Sequence, residues 1–479
     1  MHGFIGRGRD LEALRDEYGR VRETGQGSLV LLKGRRRIGK SGLAEQFSEE
    51  VGAPTLYFLA DRLRTGLQLR RFAEGLAASG LPGAPSATGV AYENWESALV
   101  AAATGATRDR PPVIVIDEFP YAVASEADGV VEASVNAAWE RVLSRQPVML
   151  VLVGSDFSIM EMLSAHDRPL MDRPTLTRTI RPLDVAELAG ISGLGATEAI
   201  DAYHVVGGFP RLARLWRPGW TLAEFLQRQL ADPDSPLVAT GRRILDAEFP
   251  ARIEARTVFS VIGAGERTYG NIAGAAGIAS SNLRRSLAQL EHEKYVIRSD
   301  RPLSTATTDD TRYAIADPYL RFYLRFLDPA RSDILRGRAA TVIARIGRDW
   351  QGYIGTAVEP FVRDSLERME PATLFGASRI GSYWTRTNVP QVDLVGMDDA
   401  GPPAVRFIGS IKWRDSDRLG RPDANDLLAM AVPDAAGRGG VPGVTAATPI
   451  IGVSRSGFMP SHGLALALGP DDLLAAWQG

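Results

Sequence analysis

Apolar runs of strand length recur through the first 185 residues, at 28–33, 54–60, 112–117, 147–154 and 175–182, with segments of helical spacing between them. Strands buried on both faces read as continuous apolar runs, and their alternation with helices predicts a parallel sheet covered on both sides. Over 185–248 the period becomes helical, broken where Gly207-Gly208-Phe209-Pro210 forces one helix to stop and another to start. Locally this is a turn between helices; helical lids over nucleotide pockets use such a turn to meet a base, so both readings stay open. Helices are then expected at 255–263, 269–276 and 280–290, the last with a serine start and leucines at helical spacing. Two strand-like pieces follow, separated by the polar stretch 298–312, and the whole reads as a winged helix. The run 319–326 interleaves aromatics with arginines and fits an amphipathic core helix better than a base-stacking strip. Beyond about residue 347 the chain is α/β again, with a helix at 357–366, strands at 380–384, 392–395 and 405–413, and a surface loop at 433–449.

Between the strand 28–33 and the helix starting at residue 41 lies Gly34-Arg35-Arg36-Arg37-Ile38-Gly39-Lys40-Ser41, followed by Gly42, which fits GxxxxGK[ST] at every fixed position. Glycines let the backbone wrap a phosphate, N–H groups at a helix start favour negative charge, and a lysine ammonium reaches the β/γ-phosphates. Ser41 is expected to offer its hydroxyl to Mg²⁺. The strand 113–117 ends in Asp117 and Glu118. Asp117 is placed to hold Mg²⁺ directly or through water, and Glu118 to polarise the attacking water. Ser155, followed by Asp156, ends the next strand, where it is either a γ-phosphate sensor or a turn serine. Arg173 is either a cation approaching phosphate from the same or a neighbouring subunit, or a solvated arginine.

In the C-terminal part, Asp393 and the pair Ser410 and Lys412 are expected on neighbouring strands of a hairpin, with Glu359 on the helix before them. In a metal-dependent nuclease an Asp and a second acid hold Mg²⁺ while a lysine orients or deprotonates water. Here Gln391 and Ser410 stand where carboxylates are expected, so metal affinity should fall. Residues 251–298 hold seven Lys/Arg against four Asp/Glu, and Arg284, Arg285 and Gln289 lie off the leucine face of the third helix. Contact with DNA and simple packing inside the protein are both open for that helix.

Composition narrows the picture modestly. With 479 residues, 45% hydrophobic and 23% charged, the chain reads as a folded protein of about three domains. A net charge of −2 gives no global sign of nucleic-acid affinity, so any such binding must be local. The absence of cysteine excludes disulfides and thiolate metal sites, and five scattered histidines (His2, His166, His204, His292 and His462) do not form a zinc pattern. No stretch has the length and apolarity of a membrane span, and the N-terminus lacks signal-peptide features, so a cytoplasmic protein without membrane association is expected. Only four lysines occur, Lys33, Lys40, Lys294 and Lys412. In an arginine-dominated chain a retained lysine marks a place where a compact point charge is needed, which fits Lys40 and draws attention to Lys412.

Phe4-Ile5-Gly6-Arg7, the loop from Gly34 to Ser41, Asp117-Glu118-Phe119, Gly154-Ser155 and Gly207-Gly208-Phe209-Pro210 together resemble the archaeal-type P-loop ATPase family of the AAA+/STAND assemblage. The resemblance implies ATP and Mg²⁺ as cofactors, with Lys40 and Ser41 on phosphate and metal, Asp117 and Glu118 in hydrolysis and Ser155 as sensor. It places Arg7, Gly208 and Pro210 near the nucleotide base. Members of that family often carry a winged helix and a C-terminal domain resembling the PD-(D/E)xK nuclease fold, usually reading E-x-D-L-V and E-x-K-W. Glu359, Asp393 and Lys412 match, whereas Gln391 and Ser410 depart. The implied organisation is an α/β multidomain chain with a P-loop ATPase core (1–185), a helical lid (186–248), a winged helix (249–330) and a restriction-endonuclease-like domain (331–479). The expected function is an ATP-hydrolysing switch that controls a DNA-directed, nuclease-like tail, with ATP/ADP and DNA as partners and self-assembly into a homo-oligomer. The alternative is a nucleotide-gated scaffold or regulator whose inactive nuclease-like domain only binds DNA or a protein partner.

Overall fold

The computed structural model describes residues 6–126, 129–155, 157–163, 168–249, 254–306, 308, 310–434 and 438–478. They form two compact units, Met1–Leu183 and Asp184–Gly479. Among the described residues no helix is long and apolar enough to cross a membrane.

In the first unit all five expected strands form: β1 (Ser28–Lys33), β2 (Thr55–Leu59), β3 (Val113–Asp117), β4 (Met149–Gly154) and β5 (Leu176–Thr179). They pair in parallel in the order β2-β3-β4-β1-β5. β3 and β4 are buried throughout because helices cover both faces, whereas the edge strand β5 alternates between half-buried and exposed. Phe58, Phe72 and Trp95 meet edge-to-face with ring centroids 5.4–5.6 Å apart on one side of the sheet. Since β1 sits next to β4 and β4 next to β3, three neighbouring strands bring their carboxyl ends to one edge, the edge where parallel sheets carry their ligands.

The second unit opens with helices, of which Val185–Ser192 and Leu222–Leu230 start in capping boxes, Asp184 with Glu187 and Thr221 with Glu224. Three helices follow, Glu254–Ala264, Tyr269–Ala276 and Ser280–Ala288, and then the antiparallel pair β6 (Ile297–Asp300) and β7 (Arg312–Ile315). The aromatic run after β7 is core, with Tyr319, Phe322, Tyr323 and Phe326 all buried. The helix expected at 357–366 is the end of a much longer one, Ala339–Leu366, which continues through Pro360. Proline has no N–H for the carbonyl four residues back, and the guanidinium of Arg321 donates to that carbonyl, Thr356 O, at 3.2 Å instead. A second sheet has the order β12-β11-β10-β9-β8, built from β8 (Arg379–Trp384), β9 (Gln391–Asp398), β10 (Ala404–Lys412), β11 (Ile450–Ser454) and β12 (Leu466–Leu468). β8, β9 and β10 form an antiparallel meander, and the helix Arg421–Ala431 lies in the crossover to the parallel strand β11. The segment expected as a surface loop at 433–449 instead sends Val441 and Val444 into the core of this sheet.

Candidate functional site

The phosphate-binding loop begins where β1 ends. Gly34 has φ +158°, and a Cβ there would lie 2.4 Å from Ile180 O, so only glycine lets the chain leave the strand at this point. Arg37 (φ +67°) and Gly39 (φ +95°) then turn the backbone into the helix Lys40–Glu50, whose first turn, including Gly42, receives no side-chain cap. Lys40 is buried, at 5% exposure, and its Nζ donates to Gly34 O (2.9 Å), Arg35 O (2.8 Å) and Ser155 Oγ (3.0 Å). Ser155 Oγ in turn donates to Glu118 Oε1 at 2.7 Å. The Ser155 hydroxyl thus joins the loop lysine to the acid at the end of β3. A second chain runs beside the first. Ser41 Oγ donates to Asp117 Oδ2 at 2.5 Å, and the same oxygen accepts from the Tyr57 hydroxyl. Burial, reinforced by the Asp117 carboxylate, holds the Tyr57 phenol well above its ordinary range, so it remains a donor.

The arginines around the loop divide by role. Arg7 is buried; it donates to Ile38 O at 2.7 Å and to Arg181 O, and its Nη1 lies 3.8 Å from Asp10. It fastens the loop from beneath. Arg36 donates to the Tyr121 hydroxyl at 2.6 Å, and Arg62 lies 5.3 Å over the same ring. Arg35 is partly buried and Arg37 exposed, while Ile38 is buried beneath the loop. Arg173 is not gathered with this group. Its Nε pairs with Glu140 at 2.8 Å on a well-exposed surface. Tyr57 and Tyr121 escaped sequence reasoning because a tyrosine in a strand or a short helix reads as packing; only the register of β2 on β3, pairing Tyr57 with Val115 and Leu59 with Asp117, brings Tyr57 to the acid. Phe4, Ile5, Asp156, His2 and His166 lie outside the described residues.

In the second unit the glycine turn is part of the core. Gly207 has φ +58°, and a Cβ there would sit 2.8 Å from Tyr319 Cβ; Gly208 and Phe209 follow, the latter ring 5.4 Å from Tyr319 edge-to-face, and Pro210 begins the next helix. On the helix Ser280–Ala288, Leu283 and Leu287 are buried while Arg284 and Arg285 are exposed.

The C-terminal acids lie where the hairpin puts them. Asp393 on β9 accepts from Ser410 Oγ (3.2 Å) and from the Ile411 N–H (3.0 Å), both on β10. Its carboxyl is raised above the usual range, foremost by burial. Glu359 is raised too, by burial first and then by the Asp393 charge, while Arg363, 3.9 Å away, acts in the opposite direction. Lys412 has a closer partner, its Nζ pairing with Asp423 Oδ1 at 3.2 Å, although its charge still acts on Asp393; Asp423 Oδ2 accepts from Gly420 N at the start of the crossover helix. Asp423 was not foreseen, since a helix-start acid reads as a cap. Among the described residues no three His, Cys, Asp or Glu side chains gather as a metal site.

Residues 323–423 match the DUF234 family model, described as "Archaea bacterial proteins of unknown function". The chain is 25% identical over 421 residues to the uncharacterized protein MJECL04 of Methanocaldococcus jannaschii, covering 86% of this chain and 88% of that one. Among solved structures it is similar to the Walker-type ATPase PABY2304 of Pyrococcus abyssi (15% identity, TM-score 0.49, 67% of this chain and 96% of that one). It is also similar to the ORC2 protein of Aeropyrum pernix in ADPNP–ADP complexes (15% identity, TM-score 0.41, 71% and 98%).

Proposed function

We propose that the first unit binds ATP with Mg²⁺ and hydrolyses it, acting as a switch for the C-terminal part of the chain. The observation that carries this reading is the convergence of the chains Lys40–Ser155–Glu118 and Ser41–Asp117 at the carboxyl ends of β1, β4 and β3. The donor set suits Mg²⁺, because a hydroxyl and a carboxylate oxygen already lie 2.5 Å apart at the loop. Ser41 and Asp117 would hold the ion, which would supply charge to offset that building on the phosphates during transfer. Lys40 exchanges its loop carbonyls for phosphate oxygens, and the uncapped helix start adds backbone N–H groups. Glu118 takes the proton of the attacking water, and Ser155 keeps that carboxylate in register with Lys40. Arg7 holds the loop's shape, and Arg173, to reach the nucleotide of a neighbouring copy in a homo-oligomer, would have to exchange its pairing with Glu140. Nucleotide titration of wild type, Lys40→Ala and Glu118→Gln tests this: binding should be lost in the first variant and kept without turnover in the second. Equal hydrolysis by all three proteins would refute the assignment.

For the second unit the reading comprises a helical lid, a winged helix that meets DNA through Arg284 and Arg285, and a nuclease-like sheet, in a cytoplasmic protein. Gly208 and Pro210 belong to the lid turn. A second reading, a scaffold whose nuclease-like sheet only binds, is favoured by one specific observation: Lys412 is engaged by Asp423, and Asp393 is satisfied by neutral donors. Plasmid cleavage with Mg²⁺ or Mn²⁺, with and without ATP, separates the two. Any metal-dependent nicking that disappears in Asp393→Ala supports the active form.

A further inference from the structure

Within the second unit, a solvent-connected cavity of about 660 Å³ opens between the segment from Ile262 to Arg267, strand β7 and the long helix Ala339–Leu366. Four arginines line it, Arg267, Arg321, Arg325 and Arg348. Among the described residues, none of the four has a carboxylate within 4.0 Å. Glu266 and Asp349 also reach the wall, so guanidinium groups outnumber carboxylates by four to two. By contrast, the buried Arg363 of this unit pairs with Asp300 at 3.0 Å, and Arg455 pairs with Asp201 at 2.7 Å.

Two of the four heads are held in place without being neutralised. Arg321 donates to Thr356 O (3.2 Å), the carbonyl left over by Pro360, and to Ala357 O (3.4 Å). Those bonds use two of the five N–H groups of a guanidinium. Arg325 donates to Ala264 O on the opposite wall. Burial, with Arg267 and Arg298 nearby, brings Arg321 down to about 10 against the opposite pull of Tyr353 and Glu359, so at neutral pH it remains a cation in an environment that disfavours it. Backbone carbonyls anchor such a group but do not cancel its charge. An anion would, and the planar forks of arginine match phosphate oxygens two at a time. The volume lies in the range of small-ligand pockets and exceeds what one bound ion requires.

We propose that this cavity is a binding site for a phosphate-bearing ligand of about nucleotide size, its phosphate or diphosphate held by Arg267, Arg321 and Arg348. The same chemistry is presented by a free nucleotide or diphosphate and by the backbone of a single nucleic-acid strand. Neither ATP hydrolysis by the first unit nor cleavage by the C-terminal sheet is required for it.

The test uses the full chain carrying Lys40→Ala, so that binding at the phosphate loop does not mask the second site. Calorimetric titrations are run with inorganic pyrophosphate and with a twelve-nucleotide single strand, at low and moderate salt. At least one probe should bind, and adding Arg267→Ala and Arg348→Ala should weaken it about tenfold or more without unfolding the chain, because among the described residues neither side chain makes a hydrogen bond or ion pair. Pyrophosphate binding alone identifies a free phosphorylated ligand. Strand binding with a steep salt dependence that flattens in the double variant identifies a nucleic-acid backbone. Arg267→Lys with Arg348→Lys should recover part of the affinity. If neither probe binds, or if both bind the arginine variants as tightly as their parent with unchanged thermal stability, the cavity is only a solvated seam and the proposal fails.

Discussion

Two corners of this chain use nearly the same residues, a lysine, a serine and acids at strand ends, yet their hydrogen bonds join those residues in one corner and separate them in the other. In the first unit, Lys40, Ser155 and Glu118 hydrogen-bond to one another in a row, and Ser41 and Asp117 form a second row beside them. Every polar partner there can be exchanged for a phosphate oxygen, a metal ion or water. In the second unit, Lys412 is drawn to Asp423, and Asp393 is satisfied by Ser410 and a backbone N–H, with Glu359 as the next acid. What separates the corners is the direction of the lysine charge and the number of acids, since a serine at the third place supplies a neutral oxygen and leaves a divalent ion under-compensated.

The comparison breaks most sharply at Glu118. Glu118→Gln removes the carboxylate proposed to accept the water's proton but keeps the shape, so ATP turnover should fall roughly 10²–10⁴-fold with nucleotide affinity nearly unchanged. Steady-state phosphate release and equilibrium binding on the same samples decide it; a parallel loss of binding would mean that Glu118 builds the pocket rather than serving the reaction. Lys40→Ala should lower ATP affinity by about 100-fold or more, enough to abolish binding in the titration, as expected for losing charge-assisted bonds to phosphate.

In the other corner the expected changes are gains. Ser410→Glu, alone or with Asp423→Asn to release Lys412, should raise Mn²⁺ affinity about tenfold by adding one anionic ligand beside Asp393. Calorimetry showing no tighter binding in a folded variant would mean that this corner was never arranged around a metal. A finer adjustment lies at Tyr57, whose hydroxyl donates to the oxygen of Asp117 that also meets Ser41. Tyr57→Phe removes one hydrogen bond of about 1 kcal/mol, so the Mg²⁺ concentration for half-maximal ATPase rate should shift less than tenfold.

Much of this was legible in the residues themselves. All five strands of the first sheet were expected within a few residues of where they lie, because a strand buried on both faces leaves no choice but a continuous apolar run. The loop from Gly34 to Ser41 carries its own backbone demands, which is why its geometry could be foreseen. Pairings between distant side chains could not be. Nothing local links Tyr57 to Asp117, Lys412 to Asp423 or Arg173 to Glu140; each depends on strand register or helix packing across many residues. The passage of the helix Ala339–Leu366 through Pro360 was missed for the same reason, since the donor that replaces the missing N–H, Arg321, comes from another segment.

The smallest expected effect concerns pH and the buried pair Glu359 and Asp393. Both carboxyls are raised above their ordinary values, chiefly by burial, so the folded state holds their protons more tightly than the unfolded chain does. The folded state then binds the extra proton between the usual carboxylate range and the raised values, and stability must fall as pH rises through that window. Asp393→Asn should therefore melt at a temperature equal to wild type in acid and a few degrees higher at neutral pH, because an amide oxygen can still accept from Ser410 and Ile411 while the buried charge is gone. Mn²⁺ sharpens the distinction. If the corner holds metal, the ion raises the wild-type midpoint at neutral pH and leaves the variant unchanged, since only the wild type offers a carboxylate to compensate it. A variant that loses stability at neutral pH without added metal would show that the Asp393 charge is satisfied in the fold, and that this corner is more like the phosphate loop than its hydrogen bonds indicate.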